Sequence, residues 1–366
     1  MILSETLSKK KFAIYGIGAT GSSVIRYFRR LRFKNFYVWD DSKIKRSQFR
    51  KITSIKKFSK KLNKVDYIIL SPGIKINRTR LKKQLLKNKS KIITDLDLFY
   101  MQNPNIRSIV VTGTNGKSTT CKVIEHLLKK NNFNVKLCGN IGKPILNIKK
   151  KSKKTLFIIE ASSFQLAYSR FVKPNYALIL NITRDHLDWH GSMKAYVNAK
   201  FKIFSLQGKD DLALLSDKKL IKKFKKNKNM GRLKYVSLIS NKKIRSKIQN
   251  SYLKSKANEQ NISFAYKIAK IFNIKDKAFI NSLKTFKGLP HRNEVFYQRK
   301  KITFIDDSKA TSFESSKFAL QSNKNIFWIV GGLPKSGDKF FLHNIKRNII
   351  KSYIIGKHVN FFKKKL

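Results

Sequence analysis

Acidic residues and cysteines are scarce in this sequence. Its 366 residues include 20 Asp and Glu against 82 Lys and Arg, so the formal net charge is +62. The two cysteines, Cys121 and Cys138, are too few for a disulfide framework and lack the spacing of a metal site. With only 6 prolines, a flexible proline-rich linker is also excluded. We therefore expect a protein of a reducing compartment.

Long apolar runs are missing as well. No apolar stretch approaches the ~20 residues that a membrane-spanning helix requires. Residues 1–11 are charged and lead directly into a short apolar strand, unlike the apolar core of a signal peptide. We expect a soluble, cytoplasmic protein with no membrane partner.

The excess of positive charge would ordinarily suggest a nucleic-acid partner. Here the basic residues are spread along the whole chain, with runs at 9–11 and 149–154, and no stripe is confined to one segment. A lysine-biased composition with solvated charged faces explains this distribution better. We expect no nucleic-acid partner and keep a nucleic-acid-stimulated NTPase as an alternative.

The residues that are present indicate a globular α/β protein. Hydrophobic residues make up 41% of the chain and aromatic residues 12%, which is a composition that can form packed cores. Short apolar runs alternate with helical patterns almost throughout, and this alternation predicts mostly parallel sheets. The length suits two or three domains. We predict three: residues 1–100 and 295–366, both Rossmann-like, and a central nucleotide-binding domain at 101–294.

The most specific signal lies in the central domain. An apolar strand at 109–111 runs into Thr112-Gly113-Thr114-Asn115-Gly116-Lys117-Ser118-Thr119-Thr120, and a helical pattern follows at 121–130. In such a turn, small residues let backbone N–H groups converge on phosphate oxygens at a helix N-terminus. The lysine adds positive charge at the β- and γ-phosphates, and the serine can bind Mg²⁺. Val111 stands where a strict P-loop has glycine, so the pattern is met only in part. The segment predicts nucleotide binding.

A second glycine-rich turn follows the first predicted strand. The segment Gly16-Ile17-Gly18-Ala19-Thr20-Gly21 opens a helix, and Asp40 closes the next strand about 20 residues later, as in the dinucleotide-binding fingerprint. Alone, this pattern would indicate an NAD-dependent dehydrogenase, but any nucleotide diphosphate can occupy such a turn. Another tight turn, Ser71-Pro72-Gly73, follows the third strand at the same carboxyl edge, where ligands of open α/β sheets bind.

Polar clusters follow several later apolar runs. Glu160 ends a buried-looking strand after the phosphate loop, which makes it a candidate Mg²⁺ ligand. His186 lies between two acidic residues, Asp185 and Asp188, just past another strand, where a site should lie. The segments 291–294, 306–311 and 331–337 are individually as consistent with solvated loops as with a site.

Together, and in this order, these motifs resemble the Mur ligase family over nearly the whole chain up to about residue 338. The short first domain with Ser71-Pro72-Gly73, the segment 114–118, and Asp307-Ser308-Lys309-Ala310-Thr311 favour the branch of the family that adds D-glutamate. Other Mur ligases and folylpolyglutamate synthetase share the phosphate loop and the histidine segment, so they remain alternatives.

The resemblance implies roles for individual residues. ATP would be bound by Gly113, Thr114, Asn115, Gly116, Lys117, Ser118, Thr119, Asn261, Arg292 and Asp307. Mg²⁺ would be held by Ser118, Glu160, His186 and Lys200, the last matching a lysine that this family carbamylates. The UDP-sugar and D-glutamate would be bound by Gly18, Thr20, Gly21, Asp40, Ser71, Pro72, Gly73, Asn140, Ser162, Thr311 and Lys335. The residues taking part in catalysis would be Lys117, His186, Lys200 and Lys309.

The resemblance also implies the reaction. The carboxylate of UDP-N-acetylmuramoyl-L-alanine would attack the γ-phosphate of ATP, and the amino group of D-glutamate would displace phosphate from the resulting acyl phosphate, in peptidoglycan precursor synthesis. We expect a monomer that requires ATP and Mg²⁺. Two departures from the family pattern are Ala257-Asn258 in place of His-Asn and a third domain that is short, which leaves an inactive UDP-sugar-binding remnant as a further alternative.

Overall fold

The structure, a computed structural model, describes residues 3–47, 49, 54–148, 152, 154–227, 231–238, 242–255, 258–334 and 344–366. The chain forms two compact units, Met1–Ser237 and Leu238–Leu366. In the described part of the chain, no helix is both long enough and apolar enough to cross a membrane.

The first unit begins with a four-stranded parallel sheet in the order β2-β1-β3-β4. Its strands are short runs of aromatic and branched apolar residues, which favour extended backbone. The strands are β1 Phe12–Tyr15, β2 Phe36–Trp39, β3 Tyr67–Leu70 and β4 Ile92–Ile93, and the helices are α1 Glu5–Ser8, α2 Ala19–Arg30, α3 Lys43–Ser47, α4 Ile55–Leu62, α5 Lys82–Lys87 and α6 Asp95–Gln102.

A six-stranded parallel sheet follows in the same unit, in the order β10-β9-β8-β5-β7-β6. Strand β7 is buried along its whole length, as expected for a strand covered on both faces. The strands are β5 Arg107–Thr112, β6 Val135–Gly139, β7 Leu156–Glu160, β8 Tyr176–Ile179, β9 Leu212–Leu215 and β10 Arg232–Tyr235, and the helices are α7 Lys117–Lys130, α8 Ser163–Tyr168, α9 Leu187–His190, α10 Met193–Phe201 and α11 Lys218–Lys226.

One hydrophobic core joins the two sheets of the first unit. It runs from Phe12 and Val24 of the first sheet region through Leu96 to Val110 and Ile159 of the second sheet. The two carboxyl edges are thereby held in one compact body.

The second unit holds an antiparallel hairpin and a separate parallel strand pair. Its elements are α12 Lys242–Arg245, α13 Ser251–Lys254, α14 Glu259–Ile271, α15 Asp276–Lys284, β11 Glu294–Arg299, β12 Ile302–Asp306, α16 Phe313–Ser322, β13 Ile326–Gly331, β14 Ile349–Ile355 and α17 Val359–Lys363. Among the described residues, the 3₁₀ segments are Ile76–Arg78, Lys89–Lys91, Ile145–Asn147, Lys202–Phe204 and Lys346–Asn348.

The predicted α/β class with mostly parallel sheets is confirmed. The three domain ranges stay a prediction, since the contacts divide the chain into two units. The strand pattern placed a boundary near Glu294, whereas the structure pairs the segment that begins there with β12 in one hairpin.

Candidate active site

The predicted phosphate loop connects β5 to the N-terminus of α7. Gly116 adopts a left-handed backbone conformation with φ +81°, which glycine accepts without strain. The loop is fixed to the second residue after β8, because Thr114 N donates to Asn181 O (2.9 Å) and Asn115 N donates to Asn181 Oδ1 (2.9 Å). The result is a tight turn in front of a 14-residue helix, the geometry that favours phosphate.

The side-chain nitrogen atoms of two lysines meet at one carbonyl of this loop. Lys117 Nζ donates to Gly113 O (2.9 Å) and Thr114 O (2.8 Å), and Lys200 Nζ donates to Gly113 O (2.7 Å). Lys200 is only 1% exposed, and its Nζ lies 4.6 Å from the ring centroid of Tyr196. Burial, reinforced by the charge of Lys117, holds the pKa of Lys200 well below its usual range. Lys200 is 83 positions from Lys117 in the sequence, and the fold brings its side chain into contact with the phosphate loop.

Glu160 ends β7 beside the loop and is 2% exposed. Its carboxylate accepts hydrogen bonds from Ser118 Oγ (2.8 Å) and Asn140 Nδ2 (2.9 Å). This follows from the strand order, since β7 lies between β5, which leads to Ser118, and β6, which leads to Asn140. The predicted metal ligands Ser118 and Glu160 are therefore adjacent, and Asn140, predicted to reach a diphosphate, contacts the same carboxylate.

The donor set fits Mg²⁺ in part. Magnesium prefers oxygen ligands, and Ser118 and Glu160 supply a hydroxyl and a carboxylate. Lys200 offers no oxygen as a free amine, but a carbamate on its nitrogen would supply two. His186 would contribute an imidazole nitrogen. Binding of Mg²⁺ by these four residues stays a prediction.

His186 lies at the start of α9 in a left-handed conformation, φ +53°. Its Nε2 lies 3.3 Å from Asp185 Oδ2, and its ring centroid lies 4.7 Å from that of Phe164. Phe164 belongs to α8 and comes four positions after Glu160. The ring contact therefore places His186 beside the segment that follows Glu160. The structure thus joins the two polar clusters that the sequence suggested separately.

Sequence reasoning missed His190, four residues after His186. Its ring stacks on Phe164 at 5.7 Å with an interplanar angle of 8°, and its Nε2 lies 3.0 Å from Ser163 Oγ. Burial, with the charge of Lys200, lowers the pKa of His190 to about 4, so the ring is neutral near pH 7. The spacing of four residues from His186 was the signal that could have found it.

A cavity of about 650 Å³ opens at the carboxyl edge of the first sheet and extends to the second. Asp40 is held in place by Ile17 N (2.6 Å) and Ser42 N (2.8 Å), which donate to its carboxylate, and Ser71 Oγ donates to Gly16 O (2.9 Å). Predicted UDP-sugar residues among its lining residues are Gly18, Thr20, Asp40, Ser71, Pro72, Gly73, Asn140 and Ser162. These predicted substrate-binding residues therefore line the same cavity.

Gly21 is predicted for binding but lies within α2 as a packing residue. A Cβ atom there would lie 1.8 Å from Gly16 O, so Gly21→Ala should destabilise the fold by about 3 kcal/mol or more through overpacking. Gly18→Ala is the matched control, since a Cβ there meets nothing within 4 Å. Thermal unfolding should show a large loss of stability for Gly21→Ala and little change for Gly18→Ala, whose methyl group should instead weaken UDP binding. Equal stability of the two variants would contradict this.

The remaining predicted residues belong to the second unit. Asn261 Nδ2 donates to Asn258 Oδ1 (2.8 Å) at the N-terminus of α14. Asp307 Oδ1 accepts from Asn293 N (2.9 Å), next to Arg292, and burial raises the pKa of Asp307. The hairpin thus brings Arg292 and Asp307 together, and their role at ATP stays a prediction.

Two further predicted residues follow β12, and a third lies outside the described part. Lys309 N donates to His291 O (3.1 Å), and the side chains of Lys309 and Thr311 are exposed. Lys335, like Ala257 of the segment that departs from the family pattern, lies outside the described residues. Recruitment of D-glutamate by these groups stays a prediction.

Comparisons with known proteins agree with this geometry. The model of the Mur ligase middle domain matches residues 111–285, and that of the Mur ligase MurD-like N-terminal domain matches residues 10–94. The chain is 34% identical to a UDP-N-acetylmuramoylalanine--D-glutamate ligase of Rickettsia felis, over 98% of this chain and 84% of that relative. It is 31% identical to the protein of the same name from the Wolbachia of Brugia malayi, over 97% and 84%.

Solved structures support the fold. MurF ligase from Thermotoga maritima in complex with ADP aligns with a TM-score of 0.55 at 15% identity, over 96% of this chain and 90% of that one. UDP-N-acetylmuramate-alanine ligase MurC from the same organism aligns with a TM-score of 0.53 at 17% identity, over 97% of each chain. The match with the Rickettsia felis protein covers nearly the whole of this chain at an identity that shows common descent: the chain belongs to the Mur ligase family.

Proposed function

We propose that this protein is an ATP-dependent ligase that joins the carboxylate of UDP-N-acetylmuramoyl-L-alanine to the amino group of D-glutamate, forming ADP and phosphate, in peptidoglycan precursor synthesis. The main structural support is that Lys117, Lys200 and the hydrogen-bonded pair of Ser118 and Glu160 all lie at the phosphate loop. The relatives reported above are named for this activity, which supports a ligase over the dehydrogenase alternative.

The reaction needs positioning and charge neutralisation more than covalent help from the protein. An oxygen of the substrate carboxylate bonds to the γ-phosphorus as the bond to ADP breaks, and the amine then attacks the acyl carbon and expels phosphate. Loop amides between Gly113 and Thr119 would bind phosphate oxygens, and Lys117 would turn from the loop carbonyls to the γ-phosphate. When bound at Ser118 and Glu160, Mg²⁺ would neutralise charge on the β- and γ-phosphates.

Lys200 is suited to carbamylation. Carbamylation requires a neutral amine, and burial favours that form of Lys200. The nitrogen lone pair would attack CO₂, one proton would leave the nitrogen, and the product would be a carbamate anion. This change gives the side chain of Lys200 oxygen atoms that can bind the metal, which the free amine lacks.

The cavity of the first unit is proposed to hold the UDP-sugar. Its glycine turn at the start of α2 suits the diphosphate, because backbone N–H groups and the helix dipole favour negative charge there. The excess of basic residues would attract the anionic substrates. We further propose that the enzyme acts in the cytoplasm as a monomer.

A ligation assay tests the proposal. The purified chain, ATP, MgCl₂ and UDP-N-acetylmuramoyl-L-alanine should give phosphate and one amide product with D-glutamate, identified by mass spectrometry. L-glutamate, D-alanine and meso-diaminopimelate serve as competing amino acids, and EDTA should stop the reaction. Formation of product with another amino acid would move the chain to another Mur activity. Binding of the UDP-sugar without turnover would favour the remnant alternative.

A further inference from the structure

Asp95 is a buried carboxyl group that the proposed mechanism does not use. It is the first residue of α6, is 3% exposed, and lines the 650 Å³ cavity next to Ser162 and Gln165. The hydrogen bond it receives from Gln165 Nε2 is long, at 3.4 Å. Burial raises the pKa of Asp95 to about 6. The backbone N–H groups of Leu96 and of Asp95 itself also favour the charged carboxylate. Since a carboxylate has about four acceptor positions, this one at the cavity wall retains capacity for another donor.

Asp97, in the same first turn of α6, is a buried acid with a structural role and serves as a comparison for Asp95. Its carboxylate accepts from Thr94 N (2.8 Å), Thr94 Oγ1 (3.1 Å), Arg170 N (2.8 Å) and Phe171 N (2.7 Å). It completes the capping box that begins α6. The capping box at this helix N-terminus is therefore completed by Asp97 and does not require Asp95.

The neighbouring Gln165 cannot take the role of acceptor. Its Oε1 accepts from Ser162 N (3.1 Å) and Ser162 Oγ (3.0 Å) in the capping box of α8. That contact fixes the amide, so its Nε2 faces Asp95. At this part of the cavity wall, the pair presents the oxygen atoms of Asp95 as acceptors.

We infer that Asp95 is a specificity-determining residue, which accepts a hydrogen bond from an N–H or O–H group in the sugar and lactoyl-alanyl portion of the UDP-sugar. The inference rests on the proposed function. A carboxylate opposite the diphosphate or the reacting carboxylate would repel it, since like charges disfavour each other in a poorly solvated site. The hydroxyl and amide groups between those two anionic ends are uncharged hydrogen-bond donors. A carboxylate can therefore stabilise the bound ligand by accepting a hydrogen bond from one of them.

Calorimetry on the full chain tests this with two probes, UDP and UDP-N-acetylmuramoyl-L-alanine. The measured quantity is the ratio of their dissociation constants, which isolates the contribution of the sugar-peptide portion. In Asp95→Ala the preference for the longer ligand should fall about tenfold, the size of one hydrogen bond to a charged group. Because alanine also leaves a cavity, Asp95→Asn, which keeps the side-chain volume, should change the ratio in the same direction.

Asp97→Asn is the matched control. It should lower the midpoint of thermal unfolding while leaving the ratio of the two affinities as in the wild type. An unchanged ratio in Asp95→Ala would overturn the inference, and so would an equal loss of affinity for both ligands. If the wild-type chain itself failed to bind the longer ligand more tightly than UDP, the proposed function would fail instead, so the two failures are distinguishable.

Discussion

Replacing Lys117 by alanine should lower phosphate release that depends on the UDP-sugar by about 10³-fold, the scale of losing one preorganised charge at a phosphoryl transition state. Lys117 Nζ lies at the mouth of the phosphate loop, where it contacts the carbonyls of Gly113 and Thr114. These carbonyls hold the ammonium within reach of a phosphate bound at the N-terminus of α7. The rate should be measured at saturating ATP, so that lost affinity and lost turnover are separated.

Lys122→Ala is the control for this experiment. Lys122 belongs to the same helix, but its side chain is 40% exposed and pairs with Glu125 at 3.1 Å. Its removal takes away the same charge from the chain without touching the loop, so the rate should stay close to that of the wild type. A Lys117→Ala variant that still released phosphate at the wild-type rate would remove the phosphate loop from the mechanism.

Lys200→Ala should lower ligation by about 10²-fold or more, because it removes the group that would become a metal ligand. The wild-type rate should fall in buffer freed of CO₂ and recover when bicarbonate is added, and the intact mass should include one added CO₂ under gentle ionisation. Lys194→Ala, an exposed position on the same helix α10, should leave the rate unchanged. A wild-type rate that is indifferent to CO₂ would show that Lys200 acts as an amine.

The sequence predicted those parts of the site that are local. The phosphate loop and the turns at Gly16 and Ser71 are continuous segments between a strand and a helix, so their residue types alone report their geometry. Glu160 and His186 were predicted as strand-end residues, and the parallel sheet brings the two segments together through Phe164. For these elements, the strand order of the sheet was what the sequence left open, and it determines which of the predicted residues are neighbours.

Contacts across long stretches of chain could not be predicted in the same way. Nothing near Asn140 in the sequence indicates that its amide binds the carboxylate of Glu160 rather than only a diphosphate. The long-range partners of the two acids differ: the carboxyl group of Asp95 receives a long hydrogen bond from Gln165, whereas that of Asp97 accepts from the backbone of Arg170 and Phe171. Both acids begin the same helix, so helix-start rules treat them alike.

The carbonyl of Gly113 that Lys117 and Lys200 share also bears on how carbamylation of Lys200 would affect ATP binding. One oxygen accepts from the Nζ atoms of both lysines, and the charge of Lys117 is one reason why Lys200 favours its neutral amine. Addition of CO₂ to Lys200 would place a negative charge beside the ammonium group of Lys117 and attract it. Freshly made protein and CO₂-matured protein should therefore differ in how tightly they hold ATP, and not only in how fast they use it.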